Sequence, residues 1–472
     1  MIPVASTSDD SRFHGLLAAT AIGVYLLLLV GATTALTDAA AACTAWPVCG
    51  DGWTVPATAA GWLAVGHRIA AVLVGVVGLA ALLTGVRAGI DRRVLVAMAV
   101  AGVLYPVQAG LGAFVAIGGA TSVLSAIHLS VGLAIFGSLV AALAWALERT
   151  TGDPTDRPVD DVDLDPPAPT GSGDAGSPED GPVGVVATAK AYLRLTKPRL
   201  MWLLCLVAAA GMALAATTTG GLTVGVVLAT LGGGVLSIGA SGTFNHVFER
   251  DIDRRMQRTN DRPLATDIVP VRNALAFGVV LATGSLALFA WVNLLAAVLG
   301  LAAIVFYSVV YTLLLKPNTV QNTVIGGAAG ALPALIGWVA VAGEIGPAGV
   351  GLAAVIFLWT PAHFYNLALA YKDDYERGGF PMMPVVRGET ETRKQILWYL
   401  AATLVAAGAL ASMEALGLVY ALTSVAFGAA FLYFAVRLHY EQTERAAFRS
   451  FHASNAYLGA LLLAVVVDTL VV

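Results

Sequence analysis

The stretch LTVGVVLATLGGGVLSIGASGTFNHVFERDIDRRMQRTNDRP, residues 222–263, joins a long apolar run directly to a dense group of charges. The run is long enough for a helix to cross a bilayer, which takes about 20 mostly apolar residues. It lacks the two-residue alternation of a transmembrane barrel strand. The stretch therefore predicts a membrane-spanning helix that ends in a charged loop.

The whole chain has this apolar character. It has 472 residues, of which 58% are hydrophobic and 12% are charged, whereas soluble domains carry about 25% charged residues. Backbone groups in lipid must be satisfied internally, so spans of this length are helices. We predict an all-α polytopic protein of the cell membrane, with about 13 spans. The net charge of −4 gives no indication of nucleic acid binding.

One segment divides the apolar runs into two blocks. Residues 150–186 are rich in Pro, Gly, Asp and Ser and almost lack large apolar side chains. Such a segment cannot bury a core, so it predicts a disordered acidic linker. The sequence thus indicates a four-helix membrane domain at 1–149 and a nine-helix domain at 187–472.

The orientation follows from the Lys and Arg residues of the short loops, which favour the cytoplasm. Arg87 and Arg149 lie on one side of the first block, and the loop after residue 245 lies on the matching side of the second. We therefore expect the linker and the acidic loops in the cytoplasm. The loop with Cys43 and Cys49 would lie outside, where a disulfide is favoured over two free thiols.

The charged loop contains a set of oxygen ligands. Asn245, Glu249 and Asp253 are four residues apart, so they share one helical face. Two carboxylates and an amide oxygen suit Mg²⁺, with diphosphate oxygens completing its coordination. Neighbouring arginines can clamp phosphates. The alternative is a loop whose acids only offset its arginines.

A second charged loop follows another apolar span on the same predicted side. It reads YKDDYERGGFPMMPVVRG, residues 371–388, and its Asp373 and Asp374 are a second candidate Mg²⁺ set. The alternative is a solvated turn. The candidate diphosphate ligands are cations in or beside the two loops: Lys197, Arg250, Arg258, Arg262, Lys316, Lys372 and Arg377. For Lys197 and Lys316 the alternative is snorkelling at a helix end.

The second block, from residue 195 onward, resembles the UbiA-type intramembrane prenyltransferases, and within them the haem O synthase branch. The resemblance rests on four segments in order: NHVFERDIDRRMQRTNDRPL, YTLLLKPNTVQNTVIGGAAGALPALIGW, TPAHFYNLALAYKDDY and GGFPMMPVVRGE. It implies nine helices around a central cavity, with both acidic loops at its cytoplasmic mouth.

The resemblance also implies a reaction. A prenyl diphosphate such as farnesyl diphosphate loses its diphosphate with the help of Mg²⁺, a haem vinyl group attacks, and water adds. The implied catalytic residues are Asn245, Glu249, Asp253, Asp373 and Asp374. The implied setting is haem biosynthesis for terminal oxidases, with membrane lipid around the protein and with haem A synthase or oxidase-assembly proteins as partners. A quinone or lipid acceptor is the alternative.

One departure concerns the second loop. The wider superfamily carries Asp-x-x-x-Asp there, whereas Tyr371 and Tyr375 occupy those positions here, with the two acids between them. The geometry of a second metal therefore stays open. His363 lies inside the preceding apolar span. An ionisable residue in a span is a functional candidate, so we consider a haem contact or a hydrogen bond to a neighbouring helix.

The first block contains two histidines at similar depth, His67 and His128. Either they are packed core residues, or they face each other as axial ligands of a haem iron. The segments GHR, YPVQAGLGAFV and IHLSVGLAIFG, with the paired-cysteine loop, resemble one half of the haem A synthase family. Ala64 stands where that family has an acid, so the resemblance implies haem binding more than haem oxidation. The alternatives are an electron-transfer module, a haem-delivery module or an anchor.

Overall fold

The computed structural model describes residues 8–36, 42–43, 45–49, 56–118, 121–153, 156, 184–413 and 416–470. Within these ranges the chain is helical, and 13 helices are long and apolar enough to cross a membrane. The predicted all-α polytopic fold is confirmed. Most of the predicted linker, residues 154–155 and 157–183, lies outside the described ranges.

The helices are numbered in chain order. Their bounds are α1 Ser8–Leu36, α2 Ala59–Ala88, α3 Arg92–Gly118, α4 Ser122–Thr151, α5 Val185–Leu195, α6 Pro198–Thr219, α7 Val224–Phe248, α8 Arg250–Asp253, α9 Val271–Val292, α10 Leu294–Val305, a π-helix Phe306–Leu315, α11 Asn322–Ala342, α12 Pro347–Ala370, α13 Lys372–Arg377, α14 Met383–Val386, α15 Glu389–Met413, α16 Leu418–Glu441 and α17 Glu444–Leu470.

The described helices pack as two compact units. Unit 1 combines α1–α4 with the last two helices and nearly all of α15, because it takes Met1–Asp156 together with Arg393–Val472. Unit 2 is Arg157–Thr392 and holds α5–α14. The sequence suggested a division at the linker, whereas the packing groups the last three helices with the first four.

Polar contacts join the two parts of unit 1. The Tyr25 hydroxyl and Ser424 Oγ are 2.7 Å apart in the buried interior. Lys394 Nζ donates to Glu148 Oε1 at 2.7 Å. A buried hydroxyl pair of this kind is favourable only because each partner satisfies the other. The first four helices are therefore specifically packed against the C-terminal ones.

In unit 2 the closest helix packing depends on glycine. Helices α6 and α11 approach so closely that a side chain on Gly337 would overlap the Ala208 carbonyl oxygen, and one on Gly211 would overlap that of Ala334. Small residues allow such backbone contact between membrane helices. This crossing joins α6 and α11 near the middle of each helix.

A π-helix, Phe306–Leu315, directly follows α10. Its last hydrogen bond runs from the Lys316 amide to the Tyr311 carbonyl at 2.8 Å, a five-residue spacing. π-Helical segments are rare and are frequent at functional sites. This segment carries Tyr307 and Tyr311 and ends at Lys316.

We expect Gly337→Leu to lower the free energy of unfolding by about 3 kcal/mol, the upper range for overpacking, because the new side chain would push α6 away from α11. Thermal unfolding in detergent measures this. Gly234→Ala is the control, since a Cβ at Gly234 meets no atom within 4 Å. Equal melting temperatures for the two variants would contradict the glycine contact.

Candidate functional site

Unit 2 encloses an apolar cavity of about 270 Å³. Helices α6, α7, α9, α10, α11 and α12 and the π-helix line it, mostly with aliphatic, aromatic and glycine residues. Among the described lining residues, Lys197 alone is charged, and it lies beside Tyr307 and Tyr311. The cavity is therefore apolar along its length and cationic at one end.

Lys197 occupies a strained position at this end. It precedes Pro198 at the start of α6 and adopts left-handed backbone angles, with φ 53°. That conformation is energetically unfavourable for a non-glycine residue, and it persists only where the surrounding structure holds it. Its Nζ donates to Asn245 Oδ1 and, at 3.2 Å, to the Tyr307 hydroxyl. Burial lowers the Lys197 pKa to about 8, and the positive charge of Arg262 contributes.

The predicted ligand face runs from the end of α7 into α8, and its residues are buried. Asn245, Glu249 and Asp253 are each less than 5% exposed. Lys316 Nζ donates to Glu249 Oε1 at 2.6 Å. Arg262 Nη1 lies 2.8 Å from both oxygens of Asp253. Each of the three predicted metal ligands thus contacts a cationic side chain from another segment.

These partners act on the charges of the carboxylates. Burial alone would raise the pKa of Glu249, but Lys316 and Lys197 outweigh it and hold that pKa below its ordinary value. Burial raises the pKa of Asp253, and Arg262 offsets this only in part. The face is therefore an anionic surface whose charge is balanced by cationic side chains from other segments.

Asp374 joins the two charged loops. Its Oδ1 accepts from the Gln257 amide at 2.8 Å, and its Oδ2 accepts from the Arg258 amide at 3.2 Å. Arg377 also donates to Oδ1, at 2.7 Å. The neighbouring Asp373 is exposed. In this structure Asp374 holds a loop in place, and its oxygens are already occupied.

The two tyrosines of the second loop flank one arginine. The Arg258 guanidinium lies 4.9 Å from the ring centre of Tyr371 and 5.5 Å from that of Tyr375. Cations are attracted to the faces of aromatic rings at such distances. Tyr371 and Tyr375 therefore orient a cation here.

The other predicted phosphate ligands have partners elsewhere. Arg250 Nε donates to Asp251 Oδ1 at 3.0 Å, and Lys372 Nζ donates to Glu389 Oε1 at 3.1 Å. The structure thus brings together Lys197, Lys316 and Arg262 at the ligand face and does not bring Arg250 or Lys372 into contact with it.

Sequence reasoning missed three hydroxyl groups at the site. Tyr307 and Tyr311 line the cavity, and Thr312 Oγ1 accepts from Asn245 Nδ2 at 3.2 Å. The signal was present in the sequence as two tyrosines four residues apart, just before Lys316. The sequence pattern by itself gave these hydroxyl groups no role in the site.

The ligand face fits a hard cation in its donor types, since it offers two carboxylates and an amide oxygen. Within the described ranges no group of three or more His, Cys, Asp or Glu side chains is arranged to hold a metal ion. The face would therefore need oxygens from a bound anion to complete a metal site. Asp373 and Asp374 fit less well, because Asp374 already accepts three hydrogen bonds.

In unit 1, His67 packs against Gly31 and His128 packs against Gly112. The Nδ1 atoms of both histidines are buried and, among the described residues, have no hydrogen-bond partner. Gln108 Nε2 lies 3.4 Å from His128 Nε2. The two imidazoles therefore retain unsatisfied nitrogen atoms in an apolar bundle.

A disulfide joins Cys43 to Cys49 in the loop before α2. Arg68, next to His67, donates to carbonyl oxygens of this loop, including those of Cys43 at 3.1 Å and Val48 at 2.6 Å. The loop is thus connected to the helix turn that carries His67.

In unit 2, His363 stacks on Trp359 of the same helix, with ring centres 4.2 Å apart. The neighbouring Thr360 and Phe364 line the cavity instead.

Comparison with known proteins places this arrangement in context. The profile of the UbiA prenyltransferase family matches residues 203–459. A protoheme IX farnesyltransferase of Haloquadratum walsbyi is 69% identical over 473 residues, which cover 99% of this chain and 98% of the relative. One of Haloarcula marismortui is 64% identical over 468 residues, covering 98% and 99%. A solved structure from work on digeranylgeranylglyceryl phosphate synthase in membranes has a TM-score of 0.50 at 18% identity, covering 60% of this chain and 99% of that one, which shows a shared fold.

We expect Asp374→Ala to release the loop that follows α8. The amides of Gln257 and Arg258 would lose their acceptor and exchange hydrogen faster, because local opening then costs less free energy. Hydrogen exchange of the full chain in detergent, read by mass spectrometry, measures this. Asp373→Ala is the matched control, since that side chain is exposed. Equal protection of the 255–260 segment in both variants would exclude the role of Asp374.

Proposed function

Because the chain belongs to the UbiA prenyltransferase family, we propose that it transfers a prenyl group of the farnesyl type from a prenyl diphosphate to a vinyl group of haem b, giving haem O and diphosphate. One arrangement carries the proposal: an apolar cavity ends at partly buried cations beside a carboxylate face. The names of the two near-full-length relatives support haem as the acceptor.

The first step is loss of the leaving group. The prenyl chain lies in the cavity, and its diphosphate lies against Lys197, Lys316 and Arg262. The allylic carbon–oxygen bond breaks, and its electron pair leaves with the diphosphate. Fixed cations in a site shielded from water stabilise the charge that develops there. Arg258, held between two tyrosine rings, adds a fourth cation from the loop.

The second step forms the new carbon–carbon bond. The vinyl π-electrons of haem attack the allylic carbon, which leaves a cation on the vinyl carbon next to the porphyrin ring. A water oxygen bonds to that carbon, and its extra proton passes to solvent. The product therefore gains one prenyl group and one hydroxyl group. The apolar cavity wall excludes water from the allylic cation before haem reacts.

Mg²⁺ is the proposed cofactor, and Asn245, Glu249 and Asp253 are the residues that would hold it. When bound, it neutralises charge on the diphosphate. Lys316 and Arg262, which pair with these carboxylates here, are then available to the phosphate oxygens. Asp373 and Asp374 stay a predicted second set, and His363 stays a predicted haem contact.

We also propose the setting of the reaction. The acidic loops and the linker lie in the cytoplasm, and the Cys43–Cys49 loop lies outside. The reason is that Lys and Arg are concentrated in the short loops on the side of the linker, and such loops favour the cytoplasm. The product would pass to haem A synthase or to proteins that assemble terminal oxidases.

The test is to supply the purified chain with Mg²⁺, haem b and farnesyl diphosphate. Extracted haem should gain the mass of one farnesyl group and one hydroxyl group, and diphosphate should be released in equal amount. Mass spectrometry of the haem measures this. Prenylation of an aromatic quinone precursor, with haem unchanged, would refute the proposal and favour the other acceptor.

Two variants locate the chemistry. Asp253→Ala should reduce turnover at least about a hundredfold, the scale for loss of a group that stabilises developing charge. Asp251→Ala is the control, because Asp251 is exposed and pairs with Arg250 away from the face. Similar activity in both folded variants would remove Asp253 from the site.

For unit 1 we propose that His67 and His128 bind one haem as axial ligands. Two observations support this: both Nδ1 atoms lack a hydrogen-bond partner among the described residues, and Arg68, next to His67, donates hydrogen bonds to the Cys43–Cys49 loop. The block would then hold or deliver haem, or transfer electrons. It would not oxidise the haem, because Ala64 replaces the acid of the similar family.

The haem-binding proposal predicts a spectrum. The full chain, purified with haem, should show the sharp low-spin bands of a six-coordinate haem. His67→Ala or His128→Ala should convert these bands to high spin or remove them, because one axial bond is lost. His452→Ala, a change of an exposed histidine, is the control. A spectrum unaltered by both ligand variants would leave the block as an anchor.

A further inference from the structure

We infer that Phe289 is the floor of the cavity and sets the longest prenyl chain that the enzyme accepts. This inference rests on the proposed function and specifies its donor. The argument depends on where the cavity ends, on what holds the Phe289 ring there, and on what space its removal would open.

The cavity extends far from the cationic end. Along α7 its lining runs from Gly242 to Thr230, or about 18 Å at the helical rise of 1.5 Å per residue. Along α11 it runs from Thr323 to Ile336, about 20 Å by the same rise. We call this long cavity the tunnel; Lys197 lies at one end, and Thr230 and Ile336 are the lining residues furthest from it along these two helices.

Two features close the far end. Helices α6 and α11 are in backbone contact at Gly211 and Gly337, next to the lining residues Ala208 and Ile336. No chain can pass between them there. On the other side the tunnel meets Phe289, which lies close to the C-terminus of α9 and is 1% exposed.

The Phe289 ring occupies a slot made of two glycines. A Cβ on Gly233 of α7 would lie 2.8 Å from the ring, and one on Gly300 of α10 would overlap it. The Ser285 hydroxyl, one turn earlier in α9, donates to the Gly233 carbonyl at 2.7 Å and holds α9 against α7. The ring is therefore fixed, and close packing lets it block the tunnel firmly.

Removing the ring would lengthen the tunnel. Two of the surfaces against the ring are glycines, and neither Gly233 nor Gly300 has a side chain that could move into the space left in Phe289→Ala. Alanine keeps the Cβ, so the change removes the phenyl ring, which is similar in size to one isoprene unit, and the vacated slot would admit one more unit. The reverse change is available at Gly234, which lines the tunnel and faces open space.

The experiment measures chain-length preference with geranyl, farnesyl and geranylgeranyl diphosphates and haem b. Phe289→Ala should raise the ratio of kcat/KM for geranylgeranyl over farnesyl at least about tenfold, the scale of pocket discrimination for small apolar groups. Gly234→Leu should shift preference towards geranyl. Leu288→Ala is the matched control, because Leu288 packs against Gly232 outside the lining.

A binding assay without haem separates this inference from the reaction. Each diphosphate is tested for its protection of the chain against thermal unfolding in detergent. If haem is never prenylated but geranylgeranyl diphosphate protects Phe289→Ala more than the unchanged protein, haem is not the acceptor. The assignment of Phe289 as the end of the cavity is then still supported. If the ratio is unchanged in folded Phe289→Ala, or changes equally in Leu288→Ala, the floor is elsewhere. If Phe289→Ala does not fold, an unchanged preference in Gly234→Leu overturns the inference.

Discussion

Glu249 and Asp253 are carboxylates buried at the end of an apolar cavity, where an unpaired charge is strongly destabilising. Lys316, at the end of the π-helix, pairs with Glu249, and Arg262, in the loop after α8, pairs with Asp253. This requirement for pairing draws separate segments to one point. It also explains how a cationic site for an anionic substrate can exist in a membrane protein, since the cations balance fixed acids until a diphosphate arrives.

The second charged loop supports this site mainly by holding the first charged loop and Arg258 in place. Asp374 accepts from two backbone amides of the first loop, and Tyr371 and Tyr375 flank Arg258. A carboxylate bound in this way stabilises the loop geometry, whereas an aromatic ring orients a cation without neutralising it. The two tyrosines therefore fit a site in which one segment supplies the ligand face and the second loop orients a cation.

Glycine determines the shape of the cavity. The pair at Gly211 and Gly337 brings α6 and α11 into contact, while Gly233 and Gly300 admit the Phe289 ring. Between these closures the tunnel stays open, because other lining positions such as Gly234 carry no side chain. In unit 1 the first four helices pack with the C-terminal ones through contacts such as Tyr25 to Ser424.

Local pattern alone determined the helical membrane fold and the 13 spans, because run length is a property of a single helix. The four-residue spacing of Asn245, Glu249 and Asp253 predicted a shared helical face, and the structure buries all three residues although α7 ends at Phe248 and Asp253 lies in α8. The tertiary structure decided which cation pairs with which acid, that Asp374 binds backbone amides, and that α15–α17 pack with α1–α4. It also decided that Tyr307, Tyr311 and Phe289 line one cavity. These features depend on contacts between residues far apart in the chain, and neither periodicity nor charge pattern encodes which distant surfaces will meet.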